Sequence, residues 1–316
     1  MKSLNGTVFV AGHRGMVGSA VCRRLGEESV DILTANRDQL NLCDAEQVSA
    51  FFNRHRPSHV VFAAAKVGGI AANHSYPVEF LTENVLMSVA SIKAAFETGV
   101  ERFLFLGSTC IYPRDCPQPI NETSLLTGPL EQTNEAYALA KIAGLKLCEY
   151  YRRQHGVLFH SAMPTNLYGP GDNYHPEHSH VLPALIRRFH EAKEIGDPSV
   201  QIWGTGAPRR EFLYVEDLAD AIVFLLGLND PPNWVNVGTG IDQTILDLAK
   251  LVAETVGYEG KITTDPTRPD GTPVKCSDVT RLNELGWKHS INLADGLQKT
   301  YQSYLAELES NHVRSV

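Results

Sequence analysis

The sequence predicts an α/β protein, with a doubly wound parallel sheet in its N-terminal half and a smaller α/β lobe toward its C-terminus. Three observations predict this. Short, largely apolar runs alternate with amphipathic stretches as far as residue 163, the first run empties into a glycine-rich turn, and after Pro164 the texture changes to turn formers and histidines. Runs of consecutive apolar residues, rather than of every second one, suit strands buried on both faces, as parallel strands under crossover helices are.

The apolar runs are 7–11 (TVFVA), 30–34 (VDILT), 59–65 (HVVFAAA), 102–106 (RFLFL) and 157–163 (VLFHSAM), with helical patterns near 15–27, 44–54, 77–98 and 136–154. The first run and its sequel read VFVAGHRGMVG, with glycines at 12, 15 and 18. Such a turn lets backbone approach a pyrophosphate seated on the helix N-terminus, where free N–H groups and the helix dipole favour negative charge. The spacing is G-x-x-G-x-x-G, and the candidate cofactor residues are Gly12, His13, Arg14, Gly15, Met16, Val17 and Gly18. Ordinary dinucleotide folds carry G-x-G-x-x-G, so by itself this fits a plain turn as well as a Rossmann-type unit, and the Tyr137-x-x-x-Lys141 pair further on favours the latter.

The end of the second strand selects the cofactor. An acid there would hold a ribose 2′-hydroxyl and select NAD, whereas an arginine accommodates a 2′-phosphate. Ala35-Asn36-Arg37 stands there, Asp38 is displaced by a further residue, and Arg14 reaches from the glycine turn, so the expectation is NADP(H). The alternative is a solvated Arg37 with Asp38 as the ribose acid. Asp44 opens D-A-E-Q, a helix N-cap with Gln47 three residues on, and also suits contact with the adenine. The small residues of AAAKVGG (63–69), Ala64 among them, suit a cofactor lying flat against strand ends.

Pro77 is placed for a first helical turn and Gly156 for a helix end. Beyond Pro164, residues 165–181 (TNLYGPGDNYHPEHSHV) read as loop. Next come a helix at 181–193, a strand near 200–203, the apolar REFLYVEDLADAIVFLL at 211–226 and a strand at 234–237. A helix at 244–256, a proline-rich stretch at 264–273 and a helix near 292–308 complete the chain. The expected division is a cofactor domain of residues 1–167 and 211–240 and a substrate lobe of 168–210 and 241–316.

A formal net charge of −8 argues against a nucleic-acid binder with a broad basic face, so an anionic ligand would meet local arginines at Arg187-Arg188 and Arg209-Arg210. No apolar run approaches the roughly 18 residues of a membrane span. The N-terminus runs straight into the first strand, which leaves no room for a signal peptide, and a cytoplasmic protein is expected. Cys22, Cys43, Cys110, Cys116, Cys148 and Cys276 lack metal-ligand spacing and read as free thiols. His175, His178 and His180 come without an accompanying cysteine or acid set, so no metal site is expected.

Tyr137 and Lys141 are four apart on a predicted helix and project from one face. A tyrosine has a pKa of about 10, and a lysine one turn away favours its phenolate. With Ser108 at the end of RFLFLGS, they would polarise a carbonyl and deliver a proton as a hydride arrives.

These residues, with GHRGMVGSA, AAAKVGGI, CIYP around Cys110, NEAYALAKIAGLKLCE, PTNLYGP, REFLYVEDLA and PDGTP, resemble the extended short-chain dehydrogenase/reductase family over nearly the whole chain. The resemblance implies a GDP-sugar substrate, GDP-4-keto-6-deoxy-D-mannose, epimerised at carbons 3 and 5 through enolates and reduced at carbon 4 by NADPH to GDP-L-fucose. It implies Cys110 as base and His180 as acid, and Arg188, Trp203, Arg210 and Asp270 as substrate residues. Pro164, Thr165, Asn166 and Leu167, together with Lys141 and His180, are implied at the nicotinamide end. A homodimer through the helices at 77–98 and 136–154 is also implied. One departure is Thr109, where a second serine is expected. Family 4,6-dehydratases carry Thr-Asp-Glu where this chain has Ser108-Thr109-Cys110, and a 4-epimerase needs no thiol base.

The chemistry agrees with that implication. A 4-keto sugar has acidic protons on both neighbouring carbons, and removing either places an enolate on the oxygen that Ser108, Tyr137 and Lys141 polarise. Cys110 lies two residues past Ser108, and on extended backbone the two share a face. A thiol of pKa about 8.5 is readily tuned as a base, and imidazole titrates near neutrality.

Overall fold

The computed structural model describes residues 4–314 apart from Glu177 and Pro269. Six parallel strands form the main sheet: β1 (Thr7–Ala11), β2 (Asp31–Leu33), β3 (His59–Phe62), β4 (Arg102–Leu106), β5 (Leu158–Pro164) and, later in the chain, β9 (Trp234–Val237). Their spatial order is β2-β1-β3-β4-β5-β9. The chain leaves β1 for β2 on one side and then crosses to β3 on the other. The crevice beyond the carboxyl ends of β1 and β3 is therefore the topological switch point, where ligands of open α/β sheets bind.

Alternation along the strands fills two cores. Val8 and Val10 of β1, with Val61, Leu104 and Leu106, face α1 (Met16–Leu25) and α7 (Val215–Gly227). Phe9, Phe62, Phe103, Phe105 and Phe159 face α2 (Ala45–His55), α4 (Pro77–Glu97) and α5 (Glu135–His155). The Phe62 ring stacks at 5.9 Å on Phe103 and 5.7 Å on Phe105. Helix α5 comes close to this aromatic layer because Gly144 has no side chain: a Cβ there would stand 2.4 Å from Phe105 Cζ.

The local signals act as read. Asp44 accepts from the N–H groups of Glu46 (3.0 Å) and Gln47 (3.1 Å), and the Gln47 side chain returns to its second oxygen at 2.8 Å. Gly156 ends α5 at φ 72°, and Pro77 opens α4.

In the second part of the chain, β8 (Arg209–Tyr214) pairs with β6 (Asn166–Tyr168), β10 (Asp242–Thr244) and β12 (Val274–Lys275), while β7 (Ser199–Trp203) pairs with β11 (Lys261–Asp265). Helices α6 (Val181–Ile195), α8 (Ile245–Val256) and α10 (Leu293–Glu309) close a separate core around Tyr168, Leu185, Phe189, Phe212 and Leu248. Two short helices, α3 (Ile70–Ser75) and α9 (Thr280–Glu284), complete the set.

The turn-rich segment 165–181 also holds a regular element. Residues 166–168 are a strand, because β8 offers a parallel edge that only the tertiary fold brings there. Helix α3 likewise escaped notice, being short and entered directly from the glycines of AAAKVGG.

Candidate active site

The switch-point crevice is shaped by absent side chains. Gly12 sits at φ +87°, and a Cβ there would lie 2.8 Å from the backbone of Ala64. A Cβ on Gly18 would lie 2.2 Å from the Gly12 carbonyl oxygen, so α1 packs directly on its own turn. Gly15 caps α1 with no side-chain hydrogen bond, and no acid stands in the first turn, which leaves these N–H groups for an anion. The turn fits a dinucleotide pyrophosphate.

At the adenosine end, Arg37 is largely exposed, with its guanidinium 4.0 Å from Glu83 of α4. Glu83 also holds Lys66 at 2.5 Å. Its neighbour Asn84 is buried and grips the loop after β3, accepting from Lys66 N–H at 2.9 Å and donating to the Lys66 carbonyl at 3.1 Å. Neither Glu83 nor Asn84 was legible as a site residue, because both act across a gap of 17 or 18 positions.

Lys141 is buried beneath the end of β4, donating to the Leu106 carbonyl at 2.8 Å. Its ammonium lies 5.6 Å from the centre of the Tyr137 ring and 4.9 Å from that of Phe105. Desolvation brings this lysine down to about 8. Desolvation also pushes the Tyr137 phenol above its ordinary value, and the Cys110 thiol adds to the effect. Burial thus outweighs the phenolate-favouring charge expected from the lysine. Near neutrality Tyr137 is a held proton, poised to be donated.

Cys110 corrects one expectation. The backbone there is not extended, because Thr109–Ile111 is a 3-10 turn capped by Ser108. The turn itself brings the two residues together, the Cys110 N–H donating to Ser108 Oγ at 3.4 Å. Burial raises the thiol, while the charge of Lys275, a hydrogen bond with Ser108 and the charge of Lys141 oppose it.

Lys275 is the functional candidate that sequence reasoning missed. It sits on β12, in register with Arg210 of β8, and its charge bears on both Cys110 and His180. The only local signal was its place two residues after PDGTP. His180, at the N-cap of α6, keeps part of its surface exposed, while surrounding protein and the charge of Lys275 lower its affinity for a proton. Its segment is tied to the loop after β3 by a hydrogen bond from Gly69 N–H to the His178 carbonyl, 3.2 Å long. His175 and His178 stack on each other at 4.5 Å. Among the described residues no group of three or more His, Cys, Asp or Glu side chains is placed to hold a metal ion.

After β5, Thr165 N–H donates to the Val237 carbonyl at 3.0 Å, and the Asn166 side chain donates to the Glu211 carbonyl at 2.8 Å. Pro164 ends β5, and Leu167 packs against the core under α1 and α7. The Glu211 carboxylate is buried and accepts from the N–H groups of Thr239 (2.6 Å), Gly240 (2.8 Å) and Ser277 (2.8 Å). One residue thus joins the end of the main sheet to the strand that carries Lys275.

The arginine doublets divide. Arg187 pairs with Glu191 at 2.6 Å and Arg209 with Asp242 at 2.9 Å. Arg188 reaches the Gln201 carbonyl, and Arg210 the Thr272 carbonyl at 2.6 Å; among the described residues neither has an acidic partner. Both are left with uncompensated charge for a diphosphate. Asp270 binds the N–H (2.9 Å) and hydroxyl (2.7 Å) of Thr205, which commits its carboxylate to holding the β7–β8 turn. Trp203 stands 64% exposed at the end of β7, beside that turn.

Residues 8–238 match the model of the NAD dependent epimerase/dehydratase family. The chain is 53% identical over 306 residues to GDP-L-fucose synthase 1 of Arabidopsis thaliana, covering 96% of this chain and 95% of that one. It is 52% identical over 308 residues to GDP-L-fucose synthase of Escherichia coli, covering 94% and 96%. Among solved structures, a GDP-L-fucose synthetase from Naegleria fowleri bound to NADP superposes with a TM-score of 0.89 at 25% identity, covering 99% of this chain and 97% of that one.

Proposed function

The chain belongs to the NAD dependent epimerase/dehydratase family, and from that premise we propose that it converts GDP-4-keto-6-deoxy-D-mannose to GDP-L-fucose with NADPH. The observation that carries this reading is the gathering of a thiol, Cys110, with Ser108, Tyr137 and Lys141 at the end of β4. A plain reductase has no use for the thiol; an enzyme that must first move protons beside the ketone does.

The glycine turn and Gly15 N-cap hold the pyrophosphate, Arg14 and Arg37 the 2′-phosphate, and Asp44 and Ala64 line the adenosine side. Residues 164–167 line the nicotinamide end. When bound, NADPH supplies the hydride that reaches carbon 4. Ser108 and Tyr137 donate hydrogen bonds to the carbon 4 oxygen and so stabilise each enolate. Cys110, whose ionisation the Lys275 charge assists against burial, removes the proton at one of carbons 3 and 5 while His180 returns one to the opposite face, and both groups exchange protons with solvent before the other carbon is turned. In the reduction Tyr137 gives its proton to the carbon 4 oxygen, with Lys141 stabilising the phenolate left behind. Arg188 and Arg210 take the diphosphate of the substrate, with Trp203 and Asp270 beside them.

The cofactor domain comprises residues 1–167 and 211–240, and the substrate lobe 168–210 and 241–316. Leu86 and Val89 on α4 and Leu139 and Tyr150 on α5 are exposed apolar residues on two helices packed together, which supports a homodimer through that face. Among the described residues no helix is long and apolar enough to cross a membrane.

The test is NADPH oxidation with GDP-4-keto-6-deoxy-D-mannose, with the product identified by NMR. GDP-L-fucose is the expected product. Consumption of NADPH with unchanged configuration at carbons 3 and 5 would leave a reductase without epimerase activity.

A further inference from the structure

Resting on the reading above that Cys110 takes the substrate's protons, we propose that Glu211 is the positioning residue for that base. Its carboxylate holds the strand that carries Lys275 in place, and so keeps the ammonium where its charge favours the Cys110 thiolate.

Strand β12 needs such a hold. It has two residues, Val274 and Lys275, in register with Arg209 and Arg210 of β8, and so short a ladder fixes little. The chain is gripped on either side of it instead. Before the strand, the Arg209 N–H donates to the Pro273 carbonyl at 2.7 Å and the Arg210 side chain to the Thr272 carbonyl at 2.6 Å. After it, the Ser277 N–H donates to one oxygen of Glu211 at 2.8 Å, while the other oxygen holds the turn at Thr239 and Gly240. Cys276, between Lys275 and Ser277, is bonded to the loop that follows Cys110. Its N–H donates to Gln118 Oε1 at 2.9 Å, and its carbonyl accepts from the Ile120 N–H at 2.7 Å. The segment that carries Lys275 is thus tied to the loop of the thiol on one side and to Glu211 on the other.

A carboxylate is what this arrangement requires. Both of its oxygens accept, and each takes a different segment of the chain. An amide of the same shape has one accepting end and one donating end, so glutamine at 211 would turn an NH2 toward the N–H groups of one segment. Glu211 is fully buried, so the segment it released would be left without a partner in place of the carboxylate.

The groups whose charge bears on Lys275 are Cys110 and Cys116 after β4, Arg210 of β8 and Glu131 ahead of α5. Those that bear on Cys110 are Lys275 and, from α5, Lys141, with Ser108 hydrogen-bonded beside it. Cys110 in turn acts on Tyr137, and Lys275 on His180. Lys141 is fixed independently, by the Leu106 carbonyl. A change at Glu211 therefore reaches the thiol through Lys275.

The experiment follows alkylation of Cys110 by iodoacetamide against pH, read by mass spectrometry on the peptide that carries it. The proteins compared are the wild type, Glu211→Gln, Lys275→Met and the double variant, with NADPH binding by fluorescence to report that each is folded. The midpoint of the Cys110 profile should rise by about one pH unit in either single variant, as loss of a neighbouring opposite charge does. The double variant should rise no further, because both changes act through one ammonium. An unchanged midpoint in either single variant overturns the proposal, as does a further rise in the double variant. Lys275→Met leaves every Glu211 hydrogen bond in place, so an unchanged midpoint there is decisive even where Glu211→Gln does not fold. Alkylation needs no substrate. Failure of the functional reading shows separately, as a wild-type enzyme that exchanges no carbon 3 or carbon 5 protons of the GDP-sugar with D2O.

Discussion

The Lys141 ammonium donates a 2.8 Å hydrogen bond to the carbonyl of Leu106, the last residue of β4. The link fixes the catalytic helix to the strand that delivers Ser108, and it puts a charge where water is scarce. Burial holds this lysine at about 8, below its ordinary 10.5. The charged form needed beside Tyr137 is therefore lost as pH rises through about 8, and the reduction rate should fall along that limb. Stability has the opposite sign. A depressed lysine binds fewer protons folded than unfolded, so its contribution is present above the unfolded value and is lost as pH falls through 8. Lys141→Met should abolish the alkaline limb of the rate profile, read from kcat between pH 6 and 10, and leave a rate at least a hundredfold down, on the order of what general acid–base groups supply.

Tyr137→Phe and Cys110→Ser should separate the two halves of the reaction. The first removes the donated proton and should slow reduction by about 10²–10⁴-fold. Exchange of carbon 3 and carbon 5 protons with D2O should continue in it. The second should reverse the pattern, with exchange slowed and NADPH binding unchanged. Isotope incorporation followed by mass spectrometry, beside NADPH oxidation, reads both. Equal losses of exchange and reduction in each variant would contradict the division of roles.

Arg37→Ala should raise the KM for NADPH about tenfold or more, as loss of a charge-assisted contact to phosphate does. The KM for NADH should barely move, because NADH has no 2′-phosphate. Steady-state titration of the two cofactors decides it.

Asp172 is buried, with one oxygen bonded to Asn173 N–H and the other without a partner among the described residues, and burial raises its carboxyl to about 7. Arg314 opposes the rise, and Glu307 adds to it. A raised carboxyl binds more protons folded than unfolded, so its contribution is present at low pH and is lost as pH climbs toward 7. Asp172→Asn should therefore raise Tm at pH 8 by about 2–4 °C per kcal/mol recovered. At pH 5 it should change Tm little, by differential scanning calorimetry.

Gly144→Ala places a methyl against the Phe105 ring, within 2.4 Å of Cζ. Overpacking of this kind costs about 1–3 kcal/mol. Because α5 carries Tyr137 and Lys141, activity at a temperature well below the new Tm should also fall, which a purely global loss would not produce.

Much of this was legible in the chain itself. The apolar runs located the strands, the glycines located the crevice, and Tyr137–Lys141 located the chemistry, since each depends on spacing within one element. What escaped depended on contacts between distant segments. Lys275 lies in a two-residue strand, too short for any periodicity, and matters only because β8 places it near Cys110. Glu83 reads as one more helix-face acid until the fold sets it beside Arg37 and Lys66. Cys110 came to Ser108 through a tight turn where an extended strand was the simpler reading.

The buried carboxylate of Glu211 grips Thr239, Gly240 and Ser277 through their peptide N–H groups, and the Thr239 hydroxyl adds a longer contact at 3.4 Å. Every residue but proline carries a peptide N–H. At Ser277 any such residue would keep the bond so long as position 211 keeps its acid, whereas Gly240 is held in addition by a φ of +70° that side chains rarely adopt. Gly238 is bound to the same constraint, since a Cβ there would meet Glu211 Oε1 at 2.2 Å.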